Sequence, residues 1–290
     1  MKPHDNRAWL LLLPAMTIML LVGVVPLVSV FNYSFHDIFT LQDLHWLGLD
    51  WYREIVRSER FHGSLARSTL FSALVLSIQL PLGIAIALML TNAPRWRTPV
   101  LMLLALPLVV PWNMIPIMWL NLISKSGLLG QAFLALDVPI DASFNAVHTW
   151  IVLLAMDTWH WLGLVVILSF AGLSGIPQDY YRAAAVDGAS RIAVFRHIQL
   201  PKISGVLSIA ILLRFVDSFM IYTEAFRINA GGPHRATTFL TLDLGEEINS
   251  FTYGAAAARS MVYFLLVITV AWSFRTIMDR RKGALQEINT

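Results

Sequence analysis

The sequence predicts an all-α membrane protein with six transmembrane helices, and three observations support this fold class. Of the 290 residues, 57% are hydrophobic and only 13% carry charge. The mean hydropathy of +0.65 is too high for a soluble single domain. Six stretches have the length of about 20 apolar residues that a helix needs to cross the hydrocarbon layer. They cover residues 9–31, 69–90, 100–121, 147–171, 203–222 and 256–278.

The first three stretches are each expected to form a helix. The first is longer than the apolar run of a signal peptide and has no small-x-small cleavage site before Asn32, so we expect it to be retained. Proline 81 in the second stretch and prolines 107, 111 and 116 in the third cannot complete the backbone ladder, and they predict kinks. Such kinks suit helices that line a gated path, but they also occur in static bundles.

Lys and Arg are unevenly distributed between the two sides of the predicted spans. With both termini inside, the inner segments hold Lys2, Arg7, Arg95, Arg97, Arg182, Arg191, Arg196, Lys202, Arg275, Arg280, Arg281 and Lys282. The longer outer segments hold Arg53, Arg57, Arg60, Arg67, Lys125, Arg227 and Arg235, with Arg259 near a helix end. Because basic residues favour the cytoplasmic side, we predict that both termini are cytoplasmic and that the chain is one multi-pass domain over residues 1–290.

Several absences restrict the chemistry of the chain. It has no cysteine, no His-Glu-x-x-His and no Gly-x-x-x-x-Gly-Lys-Ser/Thr, so we expect no metal site and no phosphate loop. Any ATP-driven step would therefore need a partner. No basic run is interleaved with stacking aromatic residues, so nucleic acid is not an expected ligand.

The segment SGIPQDYYRAAAVDGASRIAVFRHIQLPK, residues 174–202, separates the fourth and fifth predicted spans. Pro177 suits the first turn of a helix, and Asp179 complements the positive end of the helix dipole. Gly188 can adopt the left-handed conformation that ends a helix, after which apolar residues recur at helical spacing up to Pro201. We predict two short helices at the inner face, either docking another protein through Ala183–Ala185 or lying on the lipid surface.

Two motifs carry a resemblance to a known family. Ala-Ala-x-x-Asp-Gly-Ala, followed by Phe195, Ile198 and Pro201, resembles the cytoplasmic loop motif of the membrane subunits of binding-protein-dependent ABC importers. Residues 229–260, with Gly-Gly-Pro and then Gly-x-Ala-Ala before the last span, resemble the carbohydrate-type branch, which includes maltose, glycerol-phosphate and glycerol importers. The resemblance covers nearly the whole chain.

The resemblance implies a permease subunit in a bacterial inner membrane. Its expected partners are a second permease chain that differs from this one, two ATPase subunits that hold ATP and Mg²⁺, and an external substrate-binding protein. The ATPase-docking residues that it implies are Tyr181, Arg182, Ala183, Ala184, Asp187, Gly188, Ala189 and Phe195. Gly231, Gly232 and Pro233 are expected to face the binding protein. No cofactor is expected on this chain.

Arg182 departs from the motif of the family, which usually has Glu at this position. Two like charges would face each other in a partly buried pair if the ATPase kept its basic group, at a cost of up to several kcal/mol. We therefore expect either a matching change in the ATPase or an Arg182 side chain that turns away. The departure also favours a second permease chain that keeps the Glu.

Polar residues within the spans predict a path for solute, because ionisable groups there usually face a cavity or a partner. At 1.5 Å per residue, they lie at a shared depth of roughly 16–22 Å from the inner ends of their helices. The predicted path residues are Trp112, Asn113, Asp157, Trp159, His160, Arg214 and Asp217. Carboxylates, amides and aromatic faces suit a hydroxyl-rich solute. The alternative is that Arg214, Asp217 and Asp157 pair only to stabilise the bundle.

Functions from other classes fit these residues less well. An ion-coupled secondary transporter or channel could use these charges, but it does not explain the docking segment. The sequence Gly172-Leu173-Ser174-Gly175 matches the Gly-x-Ser-Gly of rhomboid proteases, yet the last predicted span has no histidine to activate the serine. We therefore predict a non-enzymatic permease that passes a sugar or polyol, glycerol among the candidates, inward by alternating access.

Overall fold

The protein is described by a computed structural model covering residues 8–40 and 43–287, with side chains described at 11–38 and 43–278. The helices are Ala8–Met19, Leu20–Val24, Val25–Tyr33, Asp50–Arg57, Glu59–Thr91, Pro94–Val109, Met114–Ile123, Leu128–Ala135, Ala146–Ser174, Gln178–Val186, Arg191–Val194, Phe195–Gln199, Leu200–Phe219, Thr223–Asn229, Pro233–Arg235, Leu240–Asn249 and Tyr253–Glu287. Lys2 and Arg7 lie outside the described residues, as do the side chains of Arg280, Arg281 and Lys282.

The helical prediction is confirmed. Within the described residues, five helical segments are long and apolar enough to cross a membrane: Leu11–Tyr33, Glu59–Thr91, Ala146–Ser174, Arg191–Asn229 and Tyr253–Met278. Pro94–Val109 and Met114–Ala135 form a sixth span if the two parts are taken together as one broken span. One element was not predicted, an antiparallel strand pair, His36–Thr40 and Asp43–Trp46, in which Ile38 lies opposite Leu44.

The third span is broken rather than kinked, with an angle of 107° between its two parts. The cause is local to Pro111, because a residue that precedes proline is sterically driven out of the helical region. Val110 is accordingly extended, with φ −71° and ψ 126°. Pro107 and Pro116 lie inside helices on either side, and the second span runs through Pro81 without a break.

Two π-helical turns precede prolines in the first and fifth spans. Leu20–Val24 leads into a helix with Pro26 in its first turn, and Phe195–Gln199 leads into one with Pro201. A proline has no N–H to donate, so one backbone bond of the ordinary ladder is lost, and a wider turn absorbs the mismatch. The second predicted short helix is consequently continuous with the fifth span.

The internal contacts divide the chain into two compact units. The first comprises Met1–His62 and Asp243–Thr269, and the second comprises Gly63–Leu242 and Val270–Thr290. In the first unit, the buried Asp243 carboxylate accepts from the Arg60 and Arg259 guanidinium groups, the latter at 2.5 Å. Arg259 also donates to Glu247 at 2.5 Å, and Arg60 donates to Glu246. The proposal of one domain stays a prediction.

The second unit has an apolar core in which Phe71, Leu153, Met156 and Phe239 are buried together. The fourth span lies close to the first part of the third at Gly163, where a Cβ atom would be 1.9 Å from the Leu104 carbonyl oxygen. Only glycine fits such a close approach of two backbones. This packing holds the middle of the fourth span, with its polar residues, inside the unit.

Candidate functional site

Three buried polar side chains and one half-buried carboxylate, that of Asp217, form a hydrogen-bonded cluster within the second unit. The Arg214 guanidinium donates to Asp157 Oδ1 and to Asp217 Oδ2, both at 2.5 Å, and to Gln79 Oε1 at 2.8 Å. Gln79 Nε2 in turn donates to Asp157 Oδ1 at 2.7 Å. We name these four residues the charge cluster. It joins the second, fourth and fifth spans by side chains alone.

The sequence predicted three members of the charge cluster but missed Gln79. This residue is fully buried, and it is the amide that links Arg214 to Asp157. The sequence signal was an uncharged amide in the middle of an apolar helix, which must find a hydrogen-bond partner away from water.

A cavity of about 60 Å³ lies beside the charge cluster. Its lining residues are Trp112, Asp157, Trp161, Asp217, Met220, Ile221, Tyr222, Thr223 and Glu224. Three carboxyl groups therefore face one space that two indole rings also line. The volume has room for about two water molecules and is well below the roughly 300–1,000 Å³ of a typical ligand pocket. A solute the size of a sugar needs this space to open.

The aromatic residues form pairs around this cavity. The Trp112 and Trp161 rings meet edge to face with centroids 6.1 Å apart, and the Arg214 guanidinium carbon lies 4.7 Å from the Trp161 ring centroid. Trp159 instead pairs with Trp119 at 6.1 Å and does not line the cavity. Trp161 thus connects the charge cluster to the wall of the cavity.

Three other predicted path residues, Asn113, His160 and Arg214, lie outside the cavity lining. Asn113 is exposed and precedes the helix Met114–Ile123, at the break in the third span. His160 is buried with its ring 4.9 Å from that of Trp161, and its Nδ1 has no hydrogen-bond partner among the described residues. The structure therefore gathers Trp112, Asp157 and Asp217 at the cavity.

The segment between the fourth and fifth spans begins with the predicted short helix, Gln178–Val186. The helix ends in a Schellman motif, in which the Ala189 N–H donates to Ala184 O at 2.9 Å and the Gly188 N–H donates to Ala185 O at 3.2 Å. Gly188 has φ +65°, the left-handed conformation that this motif requires. The Ser190 hydroxyl then caps the next helix by accepting from the Ala193 N–H at 3.2 Å.

Four of the predicted docking residues, Ala183, Ala184, Asp187 and Ala189, line a groove of about 240 Å³ between these two short helices. Its lining residues are Tyr180, Ala183, Ala184, Asp187, Ala189, Ala193, Val194, His197 and Ile198. Ala184 is buried, while Arg182, Ala183 and Gly188 are exposed, and Tyr181 and Phe195 are half-buried. Arg182 contacts Asp179 at 3.4 Å on the exposed side of the helix. We name residues 177–201 the coupling segment.

The Gly-Gly-Pro loop is held by hydrogen bonds within the second unit. Asn229 Nδ2 donates to Ala142 O at 3.1 Å, and Trp150 Nε1 donates to Ala236 O at 2.9 Å. Gly231 and Gly232 have φ values of +107° and +75°, which side chains rarely adopt. Gly231 is buried, Gly232 and Pro233 are half-buried, and His234 and Arg235 are exposed at the tip of the loop.

These features define a class of protein. The described residues contain five to six possible spans, a charge cluster that joins three of them and a structured segment between two spans, which is the architecture of a multi-pass membrane protein with polar groups in its interior. The chain belongs to the family of binding-protein-dependent transport system inner membrane components, whose model matches residues 79–283. It is a permease subunit of an ABC importer, and this membership disfavours an ion-coupled secondary transporter or channel.

Relatives and solved structures agree with this family. The chain is 29% identical over 264 residues to the trehalose/maltose transport system permease protein MalF of Thermococcus litoralis, covering 90% of each chain. It is 28% identical over 278 residues to the sn-glycerol-3-phosphate transport system permease protein UgpA of Yersinia pseudotuberculosis, covering 92% of this chain and 93% of the relative. The fold matches a chain of a bacterial ABC transporter involved in alginate import, with a TM-score of 0.80 at 19% identity, covering 95% and 96% of the two chains.

Proposed function

We propose that this permease subunit passes a neutral sugar or polyol into the cytoplasm by alternating access. Solute would come from an external binding protein, and ATP with Mg²⁺ would be hydrolysed on partner ATPase subunits. Both termini would lie in the cytoplasm of a bacterium, and a second permease chain would complete the path. The observation that carries the proposal is the cavity in which Asp157, Asp217 and Glu224 face the two indoles of Trp112 and Trp161.

The chemistry of this cavity supports an uncharged, hydroxyl-rich solute. Carboxylates accept hydrogen bonds from hydroxyl groups, and indole rings pack against the C–H faces of sugars. The one guanidinium of the charge cluster is already bonded to Asp157, Asp217 and Gln79, so it has little capacity left for an anion. Among the substrate classes that the names of relatives suggest, trehalose or maltose fits this charge balance better than glycerol 3-phosphate.

The coupling segment supports docking of an ATPase. Its first helix is fixed at both ends, by Pro177 before the first turn and by the Schellman motif at Gly188. The exposed Ala183 lets another backbone approach closely beside the groove of about 240 Å³. The second short helix of the coupling segment is continuous with the fifth span, so the segment can transmit movement of an ATPase to that span.

Docking of the binding protein is proposed at the tip of the Gly-Gly-Pro loop. Gly231, Gly232 and Pro233 would shape the turn, and the exposed His234 and Arg235 would make the contact. The hydrogen bonds of Asn229 and Trp150 hold the loop in one conformation, which lowers the entropy cost of binding.

The decisive test is uptake by sealed vesicles that carry this chain with the permease, ATPase and binding protein encoded beside it. Labelled trehalose, maltose, glycerol and glycerol 3-phosphate are supplied with or without ATP in the compartment that the ATPase faces. ATP-dependent accumulation of a neutral sugar or polyol is expected. Accumulation that is independent of ATP and driven by an ion gradient would refute the importer mechanism. A preference for glycerol 3-phosphate would refute the proposal of a neutral substrate.

A further inference from the structure

A second polar pocket of about 430 Å³ lies beside the coupling segment in the second unit. Its lining residues are Thr91, Asn92, Arg97, Leu173, Ser174, Ile176, Gln178, Tyr181 and Gln199. They come from the end of the second span, the start of the third, the end of the fourth and the coupling segment. None of these residues belongs to the charge cluster or its cavity.

The charge of this pocket is unbalanced. Arg97 is the cation among the lining residues, and no Asp or Glu lines the pocket within the described part of the chain. The Arg97 Nε atom is buried and has no hydrogen-bond partner among the described residues. The guanidinium carbon lies 5.1 Å from the Phe170 ring centroid, so one face of the cation packs on an aromatic ring. A buried donor without a partner is costly, and a bound acceptor would satisfy it.

The other lining groups supply hydrogen-bond donors around this cation. Asn92, Gln178 and Gln199 contribute amides, and Ser174 and Tyr181 contribute hydroxyl groups. The Gln199 amide lies 3.4 Å from the Tyr181 hydroxyl, so the contact between them is long and easily replaced. A guanidinium fork surrounded by neutral donors, with no carboxylate among the described lining residues, is the arrangement that recognises a phosphoryl group.

We propose that this pocket binds a phosphoryl group, either from the headgroup of an anionic lipid or from a soluble phosphate. Basic pockets between helices at a membrane edge are typical sites for lipid headgroups. Arg97 lies on the third span, whereas Gln178, Tyr181 and Gln199 lie on the coupling segment. A bound phosphoryl group therefore bridges these two elements and stabilises one position of the coupling segment. The regulatory consequence rests on the proposed function, but binding itself does not.

Native mass spectrometry of the purified, assembled transporter tests the binding. The transporter is loaded with phosphatidylglycerol, and its retention is compared between wild type, Arg97→Gln and the matched control Arg95→Gln. Arg95 is exposed and does not line the pocket. Loss of one charged hydrogen-bonding group predicts roughly tenfold weaker retention in Arg97→Gln. Equal retention in wild type and Arg97→Gln, or equal loss in both variants, would overturn the site.

Inorganic phosphate distinguishes the two sources of the ligand. Displacement of the lipid by millimolar phosphate in wild type, but not in Arg97→Gln, assigns the site to soluble phosphates. Retention of the lipid under the same conditions assigns it to lipid headgroups. The thermal unfolding midpoint of each variant in the same detergent confirms that a binding loss is not a folding loss. Because the readout is binding, a failure here is distinguishable from failure of the importer proposal in the uptake assay.

Discussion

Arg214 and Asp157, on two different spans, form a buried ion pair in which a guanidinium Nη2 lies 2.5 Å from a carboxylate Oδ1. Their exposed fractions are 1% and 7%. The pair is adjacent to the proposed substrate cavity, which Asp157 lines and Arg214 does not. The same contact can thus stabilise the helix bundle and set the charge of the cavity wall. A solute path and a structural ion pair, the two interpretations of these residues from the sequence, are therefore compatible.

Removing one partner of this pair is expected to be strongly destabilising. Arg214→Gln leaves Asp157 buried without its counter-charge, at a cost of about 3–5 kcal/mol. Denaturant unfolding in detergent measures the effect, with the exposed Arg227→Gln as the matched control. The double variant Arg214→Gln with Asp157→Asn should recover part of the loss. Equal stability of Arg214→Gln and the control would show that the pair contributes nothing.

Gln79→Leu should loosen the charge cluster without removing a charge. It breaks the bonds to Asp157 and Arg214 and leaves their polar atoms less satisfied, at a cost of about 1–3 kcal/mol. The exposed Gln131→Leu on the same assay is the control. We also expect lower uptake, because Asp157 lines the cavity and loses one of its two fixed partners. A Gln79→Leu variant as stable as Gln131→Leu would contradict this role.

Gly188→Val should uncouple transport. A β-branched residue at φ +65° is strained by about 1–2 kcal/mol, and the Schellman motif that ends the first short helix would distort. Gly175→Val is the matched control, because Gly175 has φ −79° and its Cβ would make only ordinary contacts, at 3.6 Å. ATP-dependent uptake is the measurement. Normal uptake by Gly188→Val would count against the assignment of the coupling segment.

Arg182→Glu probes the departure from the family motif. Arg182 is exposed, and its pair with Asp179 is a surface contact worth at most about 1 kcal/mol, so the folding stability should hardly change. If the ATPase has changed to match Arg182, the reversed charge weakens docking, most clearly at low salt. Pull-down of the ATPase at two salt concentrations measures this. Docking and uptake unaltered by the substitution would remove any special role for Arg182.

Two carboxylates that bind Arg60 allow a direct comparison of buried and exposed charge. Asp243 is 1% exposed and also binds Arg259, whereas Glu246 is 49% exposed. Asp243→Asn should therefore destabilise the protein by several kcal/mol, and Glu246→Gln by less than about 1 kcal/mol. Thermal unfolding of the two variants gives the ranking. The opposite order would show that burial does not set the strength of this network.

Local features of this protein were predictable from the sequence because they depend on neighbouring residues. Apolar runs of sufficient length identified the spans, since a backbone in lipid must satisfy its own hydrogen bonds. Pro177 and Gly188 indicated the start and end of the first short helix, because each acts on the backbone of its own turn. The family was also recognisable at this level, from two motifs in order.

Only the tertiary structure decided which polar groups meet. Gln79 lies 78 residues from Asp157 and 135 from Arg214, and hydropathy and helical periodicity contain no information about such distant pairs. The same holds for Asp243 with Arg60, and for Glu224, which follows the fifth predicted span yet lines the cavity. The sequence by itself determined where the apolar spans lie and where the first short helix begins and ends, through hydrophobicity and local backbone sterics. The partners of buried charges were determined by packing. A buried charge needs an opposite charge or a hydrogen-bonding group beside it, and the packing of the spans decides which distant residue lies there.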